Sequence, residues 1–216
     1  MAGAEYKSER VIDRLPAGAR VLIVRLRSMG DCVLTTPAIH LLKAHRPDLE
    51  IAVVVEERFA GVFEGNPDIA ELLPPRYAAA AARRARLCLN LHGGTRSQLL
   101  TLASRARIRA GFGHHRGAWI YNVKIPRAQQ VYANERTFHT AEQLASAVFH
   151  LGVPFAEVPR ARIFAAPANV ERPYAVIHAT AAMPYKTWRP EGFLAAAGHI
   201  QAELGLDPVF IGAALI

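Results

Sequence analysis

Residues 21–39 read VLIVRLRSMGDCVLTTPAI and set the architecture expected for this 216-residue chain. Val21–Leu26 is rich in β-branched residues and leucine, which predicts a buried strand. A polar turn follows at residues 27–30, and a helix is expected to open at Asp31. A buried strand, a glycine turn and a helix start in direct succession are typical of the first βα unit of a parallel α/β sheet. Ligands of such sheets bind outside the carboxyl ends of the strands, so chemistry is expected at this turn.

Asp31 has two interpretations. An aspartate in the first turn of a helix can accept backbone N–H bonds and complement the helix dipole, which contributes about 1 kcal/mol. It can also act as a general base that takes a proton from an attacking hydroxyl. Because capping is the commoner role at a helix start, the position alone favours the cap.

The composition is that of an ordinary globular protein, with 51% hydrophobic and 20% charged residues. Residues 1–18 contain no apolar signal segment, and no later run reaches the length of a membrane span, so a cytoplasmic location is expected. The two cysteines, Cys32 and Cys88, lie in apolar stretches. This fits a reducing compartment and a structural role better than a disulfide.

Positive charge is concentrated in residues 76–136. This segment contains twelve Arg or Lys residues and one acid, Glu135, so it carries +11; because the whole chain carries +8, the remaining residues sum to −3. A block of one sign attracts an anionic partner. A membrane surface and a phosphorylated glycolipid both fit, whereas nucleic acid is not expected, because stacking aromatics are sparse and no nucleic-acid motif is present.

Strands and helices are expected to alternate after the first βα unit. Strands are expected at Glu50–Val55, Leu72–Leu73, Leu87–Leu91, Tyr174–His178 and Pro208–Gly212, and helices over residues 31–45, 78–86 and 137–151 and from Pro190 onward. A proline-rich stretch with little periodicity follows Pro154 and indicates a linker. We therefore expect a first domain over residues 1–160, a linker over 161–173, and a second domain over 174–216 that holds one βαβ unit.

Four blocks together resemble the heptosyltransferases of glycosyltransferase family 9. They are residues 21–69, which end in EGNPDI; LHGGTRSQLL at 91–100; RIRAGFG at 107–113; and HATAAMPYKTWRPEGF at 178–193. The resemblance implies a GT-B architecture, with a Rossmann-like, parallel-sheet acceptor-binding domain followed by the start of a second Rossmann-like domain for a nucleotide sugar. The family's downstream Asp-(Ser/Thr)-Gly-x-x-His element has no counterpart, so the sequence is expected to be a fragment.

The resemblance also implies roles for particular residues. Asp31 matches the catalytic base of the family, and Thr180 and Lys186 match contacts to the donor diphosphate, where a hydroxyl and a lysine can stabilise the leaving group. Candidate donor residues are Met29, Gly30, Thr180 and Lys186, and candidate acceptor residues are Ser28, Arg58, Arg96 and Arg116.

The implied partners are a nucleotide-sugar donor, ADP-heptose, and the anionic inner core of lipopolysaccharide. Peripheral contact with the cytoplasmic face of the inner membrane is a further expectation. No metal or other cofactor is expected, because no histidine pairs with Cys, Asp or Glu at a recognised ligand spacing. Without a Gly-x-Gly-x-x-Gly sequence after the first strand, an NAD-dependent dehydrogenase is not expected either.

A second hypothesis stays open beside the transferase. The chain could be a non-catalytic anion-binding module, or a truncated relic, that recognises phosphorylated glycolipid through its basic surface. Both hypotheses predict salt-sensitive binding of anions. Only a measurement of sugar transfer distinguishes the two hypotheses.

Overall fold

The computed structural model describes residues 8–77, 84–165, 172–181 and 183–212. The chain divides into two compact units, Met1–Ala165 and Ala166–Ile216. The helix expected over residues 78–86 falls largely outside the described residues. Among the described residues, no helix is both long enough and apolar enough to cross a bilayer.

The first unit is built on a six-stranded sheet in which every neighbouring pair is parallel. Its strands are β1 (Arg20–Val24), β2 (Glu50–Val54), β3 (Glu71–Leu73), β4 (Leu87–Asn90), β5 (Ile108–Phe112) and β6 (Val123–Ile125). Their order in the sheet is β3-β2-β1-β4-β5-β6. Strands β2 and β3 are thus added on one side of β1, and strands β4, β5 and β6 are added on its other side. The expected parallel α/β sheet is confirmed, and its order is that of doubly wound Rossmann-like folds.

Helices lie between or after these strands. They are α1 (Met29–Val33), α2 (Thr36–His45), α3 (Glu57–Ala60), α4 (Thr95–Ala103), α5 (Ala128–Tyr132) and α6 (Thr140–His150), with a 3-10 turn at Ala118–Ile120. Successive side chains of β1 enter two different hydrophobic clusters: Val21 and Ile23 join one, and Leu22 and Val24 join the other. Because alternate residues of a strand point to opposite faces, both faces of the sheet are covered.

The single helix expected from Asp31 to His45 is wrong, because the chain forms two helices separated at Leu34 and Thr35. Pro37 has no N–H to donate to the Val33 carbonyl, so a continuous helix would leave that carbonyl without its partner. The Thr36 hydroxyl donates to the Val33 carbonyl instead, at 2.8 Å. The first helix also begins at Met29, two residues earlier than expected.

The second unit contains the expected βαβ arrangement, which is confirmed. Strands β7 (Tyr174–His178) and β8 (Asp207–Ile211) pair in parallel, and α7 (Pro190–Leu204) lies between them in the chain. Pro190 occupies the first turn of α7, where a missing N–H costs nothing. The helix ends before Gly205, whose φ of 64° is left-handed.

Gly111 in β5 gives a test of packing in the first unit. A Cβ added to Gly111 would overlap Cζ of the buried Tyr121 ring. Gly111→Ala should therefore lower the free energy of unfolding by about 1–3 kcal/mol, measured by urea denaturation. Gly198→Ala in α7 is the control. Its added Cβ would meet nothing within 4 Å, so this variant should raise the free energy of unfolding by up to about 1 kcal/mol. A Gly111→Ala protein as stable as the parent would contradict the close approach of the ring.

Candidate functional site

A cavity of about 350 Å³ lies at the carboxyl edge of the sheet, next to the point where the strand order reverses between β1 and β4. This reversal is where open α/β sheets bind ligands. The cavity is lined by Arg25, Asp31, Leu91, His92, Phe112, His114, His115, Arg127, Ala128, Gln129, Thr140, Gln143 and Leu144. All of these residues belong to the first unit.

The Asp31 carboxylate is partly open to solvent in this cavity. Its side chain is 45% exposed, the Ser28 hydroxyl donates to Oδ2 at 3.2 Å, and Nη1 of Arg25 lies 3.9 Å from the same oxygen. Among the described residues, no backbone N–H donates to this carboxylate. The carboxylate therefore makes no capping hydrogen bond, although it lies in the first turn of α1, at the positive end of the helix dipole, and Oδ1 is available to a ligand.

Arg25 places a buried positive charge beside Asp31. The residue is only 5% exposed, and its Nε donates to the Thr35 hydroxyl at 3.0 Å. That hydroxyl in turn donates to the backbone carbonyl of Asp31 at 2.7 Å. Burial lowers the pKa of Arg25, although a guanidinium keeps its charge at neutral pH. This chain of hydrogen bonds fixes the segment that carries Asp31 relative to β1.

His92 follows β4 and forms another wall of the cavity. Burial and the nearby charges of Arg25 and Arg27 lower its pKa, so the imidazole is neutral at pH 7. Its Nδ1 is buried and has no hydrogen-bond partner among the described residues. The Asn90 side chain holds the loop, because its Oδ1 accepts from the N–H groups of His92 and Gly93 at 3.0 and 3.1 Å.

The far wall of the cavity comes from the segments after β5 and β6. The rings of His114 and His115 lie 4.5 Å apart, and burial lowers the pKa of both. Both rings are therefore neutral at pH 7, so Arg127 supplies the charge on this wall. Gln129 and Gln143 add amide groups. One carboxylate, two guanidinium groups and several neutral hydrogen-bonding groups suit an anionic ligand that carries hydroxyls.

The residues expected to contact the acceptor are not all in this cavity. Ser28 adjoins Asp31, but Arg58, Arg96 and Arg116 do not line the cavity. Arg58 and Arg96 each pair with Glu56 at 3.1 Å. The Arg116 backbone carbonyl accepts from the Gln98 side chain at 2.6 Å.

The residues expected to contact the donor are divided between the two units. Met29, which is 60% exposed, and Gly30 lie in α1 beside Asp31. Thr180 and Lys186 lie in the second unit, where Thr180 follows β7 and Lys186 ends a 3-10 turn at Pro184–Lys186. The Lys186 ammonium lies 5.7 Å from the centre of the Tyr185 ring.

A metal site is not apparent in the part of the chain that the structure describes, since it holds no group of three or more His, Cys, Asp or Glu able to bind an ion. Cys32 and Cys88 are buried free thiols. Burial raises the pKa of each to about 11, which leaves both as unreactive thiols at neutral pH.

Several lining residues were not singled out from the sequence. They are Arg25, Arg127, Gln129, Thr140 and Gln143. Arg25 could have been recognised from the sequence, because it is the one charged residue inside the apolar run Val21–Leu26. A charge in a buried strand needs a partner, and here that partner is close to Asp31.

The buried histidines predict how stability depends on pH. Burial lowers the pKa of His92, His114, His115 and His150. A histidine with a folded pKa below its unfolded value of about 6.5 binds more protons when unfolded, so stability is lost as pH falls below about 6.5. The thermal unfolding midpoint should therefore be several degrees lower at about pH 5.5 than at about pH 7.5. His150→Gln should reduce this difference, and an equal midpoint at both pH values would contradict the prediction.

The fold and the cavity together define a Rossmann-like α/β protein of the GT-B glycosyltransferase type. Residues 80–213 match the family model described as "Glycosyltransferase family 9 (heptosyltransferase)", and the chain therefore belongs to this family. A comparison with curated protein sequences finds no match.

Solved structures of family members have the same fold. A glycosyl transferase family 9 protein from Veillonella parvula DSM 2008 is 22% identical with a TM-score of 0.74, over 93% of this chain and 65% of that one. E. coli heptosyltransferase WaaC with ADP is 23% identical with a TM-score of 0.68, over 90% and 67%. E. coli ADP-heptose lps heptosyltransferase II is 16% identical with a TM-score of 0.71, over 90% and 65%. The chain thus spans about two thirds of the length of these relatives.

Proposed function

We propose that this chain belongs to an enzyme that transfers heptose from ADP-heptose to the inner core of lipopolysaccharide, with inversion at the anomeric carbon and Asp31 as the general base. Residues 1–160 would bind the acceptor, and the domain that begins at residue 174 would bind the donor. The supporting observation is the Asp31 carboxylate, which faces the cavity at the strand reversal without a backbone cap.

The proposed reaction is a single displacement. An acceptor hydroxyl donates to Asp31 Oδ1, and the carboxylate takes its proton as the oxygen attacks the anomeric carbon. The bond from that carbon to the donor diphosphate breaks, and its electron pair leaves with the diphosphate. Because attack and departure occur on opposite faces of the sugar, the configuration inverts.

The donor side of the proposal rests on Thr180 and Lys186. Their hydroxyl and ammonium would stabilise the charge that develops on the departing diphosphate, so the proposal needs no metal ion. In the first unit, Met29 and Gly30 are further candidate donor contacts, since a Cβ on Gly30 meets nothing within 4 Å and the backbone there is open to a ligand. A related structure, E. coli heptosyltransferase WaaC, is solved with ADP-2-deoxy-2-fluoro heptose.

The acceptor side rests on positive charge around the cavity. Arg127 lines the cavity, and Ser28 contacts Asp31. Arg58 and Arg96 flank Glu56 near the turn that follows β1, and together with Arg116 they would attract the phosphate and carboxylate groups of the inner core. An acceptor with a lipid anchor would hold the enzyme at the cytoplasmic face of the inner membrane.

The test is a transfer assay with the complete gene product. ADP-heptose and a lipopolysaccharide core that lacks heptose are mixed with the protein, ADP release is followed, and the anomeric configuration of the product is determined. We expect ADP release that requires the acceptor, and a product of inverted configuration. Retention would overturn the single displacement, and core binding without any transfer would favour the non-catalytic module instead.

A further inference from the structure

Two short segments of the first unit repeat one sequence. They are RARL at residues 84–87 and RARI at residues 105–108. Each leads into one of two adjacent parallel strands, and Leu87 of β4 is in register with Ile108 of β5. The N–H of Ile108 donates to the Arg86 carbonyl at 3.1 Å. Since neighbouring strands lie about 4.8 Å apart, the two segments run side by side.

The repeat brings four arginines to one concave surface. Arg84, Arg86, Arg105 and Arg107 are exposed and line a cavity of about 390 Å³ with Ala85 and Ser104. Arg84 and Arg105 share a left-handed backbone, with φ values of 46° and 52°. Non-glycine residues seldom adopt this conformation, and here it occurs at the same position of both segments. Between the arginines of each segment, a buried alanine fixes the backbone to the core.

The four guanidinium groups carry uncompensated charge. Within the described ranges, none of them forms an ion pair with a carboxylate. Arg20, in the next strand along the same edge, differs in this respect: it pairs with Glu50 at 2.6 Å, and its carbonyl accepts from the Arg86 N–H at 2.9 Å. Like charges on adjacent strands repel, so an anion bound between the arginines would remove a destabilising interaction.

This surface is separate from the cavity that contains Asp31. The arginines precede β4 and β5, so they lie at the amino edge of the sheet, whereas Asp31 follows β1 at the carboxyl edge. The Ser104 hydroxyl is already engaged, since it donates to the Thr101 carbonyl at 2.6 Å and accepts from the Ala106 N–H at 3.2 Å. Recognition at this surface therefore depends on guanidinium groups, which bind phosphate oxygens in pairs.

We infer that Arg84, Arg86, Arg105 and Arg107 form a second anion site that binds a ligand with two or more phosphate groups. The two rows of guanidinium groups, one on each segment, offer positions for more than one phosphate. Such phosphates could belong to a soluble diphosphate or to the headgroups of an anionic bilayer, and the experiment distinguishes these sources.

The experiment compares the complete gene product with its Arg86→Gln/Arg107→Gln variant. Inorganic phosphate and pyrophosphate are titrated by calorimetry, and vesicles of phosphatidylglycerol are tested by co-sedimentation. We expect pyrophosphate or the vesicles to bind, and the variant to bind at least about tenfold more weakly. Loss confined to pyrophosphate assigns the site to a soluble diphosphate, and loss confined to vesicles assigns it to headgroups.

Two further variants act as controls. Arg76→Gln/Arg160→Gln removes two exposed charges outside the cavity and should leave binding within about twofold. Lys186→Ala should weaken only the pyrophosphate binding at the proposed donor site, and the loss caused by Arg86→Gln/Arg107→Gln should persist in the Lys186→Ala background. The inference is overturned if neither probe binds, if the Arg86→Gln/Arg107→Gln variant binds as tightly as the parent, or if only Lys186→Ala loses binding. An Arg86→Gln/Arg107→Gln protein should also melt at a higher temperature than the parent in low salt without phosphate, which shows that it folds.

Discussion

Asp31→Asn is expected to lower kcat for heptose transfer by about 10³-fold while the KM for ADP-heptose stays within a few fold. The amide has the shape of the carboxylate and can still accept the hydrogen bond from Ser28, but it cannot take the proton of the acceptor hydroxyl. General bases commonly contribute 10²–10⁴-fold to rate. The measurement is steady-state ADP release by the complete gene product with the lipopolysaccharide core acceptor, compared with the parent enzyme at the same pH.

Ser28→Ala is the matched control for Asp31→Asn. It removes the hydroxyl that donates to Asp31 Oδ2 at 3.2 Å but keeps the carboxylate. We expect kcat to fall by only a few fold, because the hydroxyl orients the base and takes no proton itself. An Asp31→Asn enzyme within tenfold of the parent would contradict the assigned role.

The pattern of residues was enough to predict the sheet near its centre. Strands β1, β2 and β4 of this sheet, and β7 and β8 of the second unit, are each predicted within one or two residues, because each is a short apolar run that starts or ends at a clear turn. Strands β5 and β6 were not predicted. The first includes Arg109 and Gly111, and the second has only three residues. Their strand character comes from pairing with β4 and with each other, which a local pattern does not contain.

The cavity residues that lie far from Asp31 in the sequence were harder to predict than Asp31 itself. Asp31 could be found because strand, turn and helix are contiguous in the chain. The opposite wall is formed by His114, Arg127 and Gln143, which lie about 80 to 110 positions further along. They approach Asp31 only because β4, β5 and β6 follow β1 in the sheet, and the order of strands is not encoded in any single segment.

Arg58, Arg96 and Arg116 illustrate the limit of charge counting. Each lies in or near the basic part of the chain, yet none lines the cavity that holds Asp31, and two of them share Glu56 as a partner. Charge along the sequence predicts an anionic partner but not which guanidinium groups surround one site. Four other arginines, within residues 84–107, lie together at the opposite edge of the sheet.

Arg25→Met is expected to lower kcat by roughly 10²-fold with little change in the KM for ADP-heptose. Arg25 is a positioning residue in our proposal. Its Nε donates to the Thr35 hydroxyl, and that hydroxyl donates to the backbone carbonyl of Asp31. Its guanidinium also lies 3.9 Å from the Asp31 carboxylate. Misplacement of a reacting group by about 1 Å can cost a factor of about 10². The measurement is the same ADP-release assay, with kcat and KM separated.

A purely structural role for Arg25 makes a different prediction. Arg25→Met leaves the Thr35 hydroxyl without its buried donor, and Thr35→Val leaves the buried Nε of Arg25 without its acceptor, so each variant should be destabilised by about 1–3 kcal/mol. If Arg25 acts only on the fold, the kcat of Arg25→Met should equal that of the parent when it is measured well below the thermal midpoint of the variant, where the protein is folded. A kcat that stays about 10²-fold lower in the folded variant shows that the buried cation acts on Asp31; a parent-like kcat means that the positioning role is wrong.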